Sequence, residues 1–289
     1  MPELPEVETI KNELWPCIIG QAFTDVCILD DKIVANGSTE QLQRDLVSQK
    51  VERLSRRGKY LLLHLSSGQS FVMHLRMTGS LLLDCGDDER YIRAVFRLSN
   101  GHRLMFRDSR RFGLIWLVNN ADAVVGKLGP EPLDDAFGPA ILRDRLVRRS
   151  IPVKAALLNQ SIVAGIGNMY ADEALFAARI HPSRRANNLS LEELTILCDC
   201  IRSVLVAAID CKGASVDTYL RPEGRPGTAH CEFRVAHRGG QACSVCGDTI
   251  QRIPIQNRGS YFCPTCQPLV PEHPGATSDR ILPSEASDA

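Results

Sequence analysis

A chain of 289 residues, 44% hydrophobic and 24% charged, has the length of about two domains and the composition of a folded globular protein, not of a disordered one. No run reaches the ~18 uncharged apolar residues of a membrane span, and MPELPEVETI, with Glu3, Glu6 and Glu8 and no basic residue, has no n-region of a signal peptide. The 34 basic and 34 acidic residues cancel, but distribution matters more than the sum for a polyanionic partner. Residues 268–289 carry Glu272, Asp279, Glu285 and Asp288 against Arg280 alone; removing them takes one basic and four acidic residues from the 34 of each, leaving +3. The basic residues cluster at Arg103, Arg107, Arg110 and Arg111, and again at Arg143, Arg145, Arg148, Arg149 and Lys154. Each cluster is either a phosphate surface or a solvated face.

In chain order, residues 3–15 read as a helix, with Leu4, Val7, Ile10 and Leu14 on one face and Pro5 in the first turn. From Val51 to Val118 the pattern becomes β, in the runs KYLLLHL, SFVMHL, GSLLL, AVFRL and HRLMF. Ser67-Gly68 and Asn100-Gly101 mark hairpin turns. This predicts an antiparallel sandwich or barrel with the first helix packed against it. KLGPEPLDD, residues 127–135, is a boundary. Beyond it, KAALLNQ and MYADEALFAARI read as helices, with a Gly165/Gly167 turn between them. Ser190 and Glu193 form a capping box for a helix through about Ala208. Residues 212–240 are glycine-rich and charged, the pattern of a mobile loop. Residues 243–266 form a compact cysteine module, and the Pro/Ser/Asp-rich remainder predicts a disordered tail. The fold class is α+β, divided as 1–133, 134–240, 241–267 and 268–289.

Seven of the eleven cysteines are scattered, at positions 17, 27, 85, 198, 200, 211 and 231. They suit a reducing cytoplasm and the role of small buried apolar residues. The other four form Cys243-x2-Cys246-x16-Cys263-x2-Cys266. Two thiolate knuckles give one Zn²⁺ a closed tetrahedral site, hence a structural one. The alternatives are two unrelated pairs or a redox dithiol.

Pro2 follows an initiator Met of the kind removed before small residues. Its exposed nitrogen would be a secondary amine. An α-amino group has a pKa near ~8, so a fraction is free to attack a carbonyl carbon at neutral pH. Glu3 and Glu6 stand beside it as acid/base candidates, although acidic residues also suit any helix N-terminus.

Both ends together resemble the Fpg/MutM family of formamidopyrimidine-DNA glycosylases. The resemblance continues through GKYLLLHL (58–65), HLRMTGSL (74–81), RDSRRFG (107–113), LGPEPL (128–133), KAALLNQ (154–160), GIGNMYADEALF (165–176) and NRGSYFCPTCQ (257–267). It spans the chain to Gln267. Leu4 favours this branch over the Nei-type enzymes, which usually begin MPEGPE.

The resemblance implies a helix–two-turn–helix element after the sandwich and a C-terminal zinc ribbon. It implies removal of oxidised purines from duplex DNA, followed by β,δ-elimination of the abasic strand. Pro2 would be the nucleophile, Glu3 the proton donor and acceptor at the sugar, Lys59 the proton-transfer group of β-elimination, and Arg258 a phosphate ligand linked to δ-elimination. Met77, Arg110 and Phe112 match residues that enter the duplex when the nucleotide is flipped out. Asn168, Arg149 and Lys154 match phosphate contacts, and Tyr91 stands where a DNA-contacting histidine is common. The partner is damaged double-stranded DNA, the cofactor one structural Zn²⁺, and the state a monomer with no membrane association. Five departures stand out: Asn159 for a common Asp, Ser109 for a common Pro, Tyr91, Thr228-Ala229 where an aromatic often follows Pro-Gly, and Ala236-His237-Arg238 for Tyr-Gly-Arg. The alternatives are a Nei-like pyrimidine glycosylase and a non-catalytic zinc-dependent DNA binder.

Overall fold

The computed structural model describes residues 1–85 and 90–269. The expected disordered tail falls almost wholly outside the described residues. The helix α1 (Leu4–Ile18) opens with Pro5 and buries Leu4, Val7, Ile10, Leu14 and Ile18 along one face. It runs three residues past the predicted end, beyond Pro16. Leu4 packs into a helical core, whereas Val7 to Ile18 pack into a sandwich core. This one helix therefore fixes its N-terminus at the junction of the two.

The remaining strands and helices of the N-terminal half are β1 (Phe23–Ile28), α2 (Thr39–Leu46), β2 (Val51–Arg57), β3 (Tyr60–Leu65), β4 (Ser70–His74), β5 (Gly79–Leu83), β6 (Ile92–Leu98), β7 (Arg103–Asp108), β8 (Leu114–Val118) and α3 (Asp122–Val125). They form two four-stranded antiparallel sheets, ordered β1-β6-β7-β5 and β2-β3-β4-β8. The architecture is thus a sandwich. Phe23, Phe71 and Phe96 meet edge-on between the sheets at centroid distances of 5.3–6.3 Å, a favoured aromatic geometry. β3 and β4 read as nearly continuous apolar runs because both their faces are covered. Leu61, Leu63, Phe71 and Met73 face the sandwich, while Leu62 and Val72 pack under Val125 of α3.

The second half contains α4 (Pro139–Leu146), α5 (Val153–Leu158), α6 (Asn168–Ala177) and α7 (Leu191–Asp210) around their own core. The capping box of α7 is present: Glu193 N–H donates to Ser190 Oγ at 3.1 Å, and Ser190 N–H to Glu193 Oε2 at 2.8 Å. The cysteine module carries the hairpin β9 (Gln251–Ile255) and β10 (Arg258–Phe262). Its two turn residues, Gln256 and Asn257, have φ of +46° and +60°, a type I′ geometry.

Three expectations change. Of the scattered cysteines only Cys198 is fully buried, and Cys231 is exposed. β1, α2 and α4 had no predicted counterpart. The segment 212–240 is tied down in several places. Tyr219 inserts into the sandwich core, Pro222 O accepts from Leu83 N–H at 2.7 Å, and Arg221 pairs with Glu13 of α1 at 2.6 Å.

Candidate functional site

The first turn of α1 docks on the Gly165–Gly167 turn ahead of α6. Leu4 N–H donates to Gly165 O at 3.0 Å. Both glycines are needed sterically. A Cβ on Gly165, whose φ is +86°, would lie 2.6 Å from Leu4, and one on Gly167 would lie 2.2 Å from the Glu3 carboxyl carbon. The Glu3 carboxylate is buried and accepts from Gly167 N–H at 2.7 Å and Met169 N–H at 3.2 Å. Those amides form the N-terminal end of α6, which favours an anion. Gly167→Ala is therefore expected to push Glu3 out of place and lower incision of a damaged duplex by about 100-fold. Single-turnover assays with a thermal melt alongside check this.

Glu6 has a different job from the one expected. It is fully buried and accepts from Glu3 N–H at 2.7 Å, Tyr170 O–H at 2.6 Å and Ala214 N–H at 2.8 Å. Burial, with the nearby Glu3 charge, raises its pKa. It lines neither of the cavities described next. It joins α1, α6 and the start of the 212–240 segment as a bracket.

Two cavities, of about 250 and 510 Å³, abut at the N-terminus; Met1, Met77 and Arg258 line both. Glu3 and Asn168 line the smaller, together with Asp217 and Thr218 of the 212–240 segment. Lys59, His74 and Phe112 line the larger. Pro2 is buried and lines neither cavity itself. Met1, which caps its nitrogen, faces both spaces.

Lys59 is only 6% exposed. Burial pulls its pKa below the usual lysine range and the Arg258 charge pulls the same way, while Glu3 and Glu6 oppose them. A buried clamp sets its position. Glu131 accepts from Gly58 N–H at 2.5 Å, Arg57 Nη1 at 2.9 Å and Arg56 Nη1 at 2.6 Å. Gly58, at φ +56°, makes the tight turn just before Lys59. Glu131 lies in LGPEPL, which the sequence marked as a boundary and as a segment of the family resemblance, with no role for Glu131 itself.

Arg258 begins β10, and three side chains beneath it fix the strand. Lys154 Nζ donates to Gly259 O at 3.0 Å and Ser260 Oγ at 2.8 Å, and pairs with Asp172 at 2.8 Å. Asp172 also accepts from Tyr261 N–H at 3.1 Å. Asn168 Nδ2 donates to Gly259 O at 3.1 Å. Lys154 is wholly buried, which corrects its assignment to a phosphate surface: its ammonium already has three protein partners. Burial pushes Asp172 up to about 7 and Lys154 down. Such a pair is costly to break from one side. One N–H of the Asn168 side-chain amide is likewise given to the hairpin. Arg149 is exposed within the second basic cluster and lines neither cavity.

Met77 and Phe112 are 40% and 49% exposed, so neither belongs to the sandwich core. The Arg110 guanidinium lies 4.9 Å above the Phe112 ring. Their loop hangs on buried Asp108, which accepts from Phe112 N–H at 2.8 Å, Gly113 N–H at 2.7 Å, Arg110 N–H at 3.1 Å and the Thr78 hydroxyl. Tyr91 lies apart from the cavities, at φ +70° between Arg93 and Arg107. Asp108 and Glu131 went unnoticed in the sequence because their partners are distant in the chain or are backbone amides: turn amides for Asp108, and the Gly58 amide with the Arg56 and Arg57 guanidiniums for Glu131.

The sulfurs of Cys243, Cys246, Cys263 and Cys266 lie within 4.8 Å of one another. Two of the separations are 3.9 and 3.4 Å. Zn–S bonds of ~2.3 Å in a tetrahedron require S···S near ~3.8 Å. The site fits one structural Zn²⁺ and leaves no ligand position open.

Residues 1–115 match a family described as the formamidopyrimidine-DNA glycosylase N-terminal domain, residues 128–219 its H2TH domain, and residues 240–269 a zinc finger found in FPG and IleRS. The formamidopyrimidine-DNA glycosylase of Symbiobacterium thermophilum is 40% identical over 296 residues, covering all of this chain and 96% of that protein. The enzyme of the same name from Desulfitobacterium hafniense is 42% identical over 274 residues, 92% of this chain and all of that one. Among solved structures, a Lactococcus lactis FPG mutant in complex with Fapy-dG-containing DNA superimposes with a TM-score of 0.86 at 34% identity, covering 93% of this chain and 100% of that one. MutM (FPG) from Thermus thermophilus gives 0.85 at 37% identity, with the same coverage.

Proposed function

The chain belongs to the formamidopyrimidine-DNA glycosylase family, and on that premise we propose that it excises oxidised purines, 8-oxoguanine and formamidopyrimidines, from duplex DNA and then cuts the abasic strand through a Schiff base on Pro2. The observation that carries this reading is the convergence of the Met1–Pro2 junction, the Glu3 carboxylate, the Lys59 amine and Arg258 on two abutting cavities.

With Met1 removed, the Pro2 nitrogen is a secondary amine. Its lone pair forms a bond to C1′ of the flipped nucleotide as the bond to the damaged base breaks. The departing base takes a proton from solvent, while the Glu3 carboxylate takes the Pro2 N–H proton and delivers it to the sugar ring oxygen as the ring opens, leaving an iminium. The iminium draws electrons and makes the C2′ hydrogen acidic. Lys59, inclined by burial toward its neutral form, is suited to handle that proton as the C3′–O bond breaks. A second elimination breaks the C5′–O bond, with Arg258 holding the phosphate. A one-nucleotide gap remains. Met77, Arg110 and Phe112 enter the space vacated in the duplex, where the guanidinium can bond the orphaned base.

We assign residues 1–133 to catalysis, 134–240 to DNA binding and lesion capping, and 241–267 to the zinc finger. The enzyme acts as a monomer on nucleoid DNA in the bacterial cytoplasm. The bacterial relatives support the setting, and no described helix is long and apolar enough to cross a membrane.

Duplexes carrying one 8-oxoguanine opposite cytosine, or one thymine glycol, test the substrate class. Preferential excision of the purine, with phosphates at both gap ends, is expected; preference for the pyrimidine contradicts it. For Lys59, a pKa below 10.5 predicts that the β-elimination rate on a preformed abasic duplex rises with pH and levels off before the ordinary lysine range. Lys59→Met is expected to lose about 100-fold and that alkaline rise, in single-turnover rates from pH 6 to 10.

A further inference from the structure

His237 lines the 250 Å³ cavity beside Glu3, Asn168 and Arg258, and the mechanism above gives it no role. Its backbone is unusual for a residue with a side chain: φ is +61°, in the left-handed region that glycine favours. Neighbours impose that conformation. The Glu173 carboxylate on α6 accepts from the N–H groups of Arg234, Val235 and Ala236 at 3.0, 2.9 and 2.8 Å. Arg238 N–H then closes the turn on Val235 O at 3.0 Å. The imidazole lies tilted against the Tyr261 ring, with centroids 5.7 Å apart, and Tyr261 is itself pinned to Asp172. The backbone is therefore fixed on either side of His237 in an otherwise disfavoured conformation, the ring rests on Tyr261, and the residue is exposed. A strained residue maintained at a cavity wall signals function more than packing.

We propose that His237 is a further DNA-contacting residue, whose ring N–H donates a hydrogen bond to a phosphate oxygen flanking the target nucleotide, beside Arg258. Arg258 supplies the cation for an anion there; the α6 N-terminus is already taken by Glu3 and Asp217 also lines the cavity, so the phosphate belongs on the Arg258 side. Asp217 and Glu3 pull the ring toward protonation; burial, the chain N-terminus and Lys154 pull it the other way, and the balance lowers its pKa.

The inference rests on the reading of the chain as a DNA-processing enzyme, and its test separates the two. Full-length, zinc-loaded protein with Met1 removed is titrated with a duplex bearing a tetrahydrofuran abasic analogue, which binds without reacting. His237→Gly suits φ +61°, so its melting temperature is expected to match or exceed that of the parent. Its affinity is expected to fall about tenfold, the scale of one lost hydrogen bond. On duplexes with a single uncharged methylphosphonate at either phosphate flanking the analogue, the tenfold ratio is expected to collapse toward one at one of the two positions. Unchanged affinity of His237→Gly, or a ratio that persists at both positions, overturns the assignment. Failure of the Pro2 reading appears separately, as parent protein that binds the analogue duplex but gives no borohydride-trapped adduct with a duplex carrying 8-oxoguanine.

Discussion

Replacing Cys263 by Ser is expected to release the metal and to lower incision of a damaged duplex by at least about 100-fold, while the sandwich and the helical core stay folded. The apolar core around the cysteines is small: Ile250 of the module, with Phe176 of α6 and Val235 just ahead of it. Four thiolates on one Zn²⁺ contribute on the order of 10 kcal/mol to a fold of this size, far more than those side chains supply. Without the ion the β9–β10 hairpin loses its base. Arg258 then leaves its place, because Gly259 O and Ser260 Oγ no longer meet Lys154 and Asn168. The damage also runs inward, since Asp172 loses the Tyr261 amide. The two larger cores share few residues with the module, so their melting transition should persist. Metal content by atomic emission, circular-dichroism melting and incision rate check the three parts. A zinc-free variant that incises normally would remove the structural role of the metal.

Protein that keeps Met1 is expected to lose excision by at least about 1000-fold and to give no trapped adduct with borohydride. Two physical effects act together. An acylated Pro2 nitrogen has its lone pair delocalised into the peptide bond and cannot attack C1′. The Met1 residue also lines both cavities, where the flipped nucleotide has to enter. Binding to an undamaged duplex should change much less, since the exposed basic clusters are untouched. Intact mass identifies the Met1-bearing fraction, and treatment with a methionine aminopeptidase should restore activity to the same sample. Full activity with Met1 attached would mean that the reacting group lies elsewhere.

Much of the fold was legible because its signals are local. The strand runs of β3 to β7, the two hairpin turns and the Ser190 capping box each depend on a few adjacent residues. β1 and α2 lacked such signals: β1 shows no clean alternation, and α2 buries only Leu42 and Leu46. The sandwich-or-barrel choice needed the pairing of β8 with β4, a long-range fact. At the site, the cysteine spacing declared the metal unaided, whereas Lys59 and Arg258 drew attention only through resemblance. Lys154 shows where sequence reading fails. Its charge is visible, but its burial against Asp172 is not, so a phosphate ligand and a hairpin anchor look alike. Asp108 and Glu131 were missed for the converse reason: Asp108 organises a turn through backbone amides, and Glu131 gathers the Gly58 amide with Arg56 and Arg57 from over 70 residues away, and no residue pattern records either. His237 looked like a mere departure until its positive φ and its place beside Arg258 were seen together.

The most direct measurement is peptide mapping of the borohydride-reduced cross-link between the Met1-free enzyme and a duplex containing 8-oxoguanine. The predicted result is a single modified peptide whose added deoxyribose mass sits on the nitrogen of Pro2. The same mass on a lysine, with Lys59 the nearest candidate along the cavity wall, would contradict the mechanism.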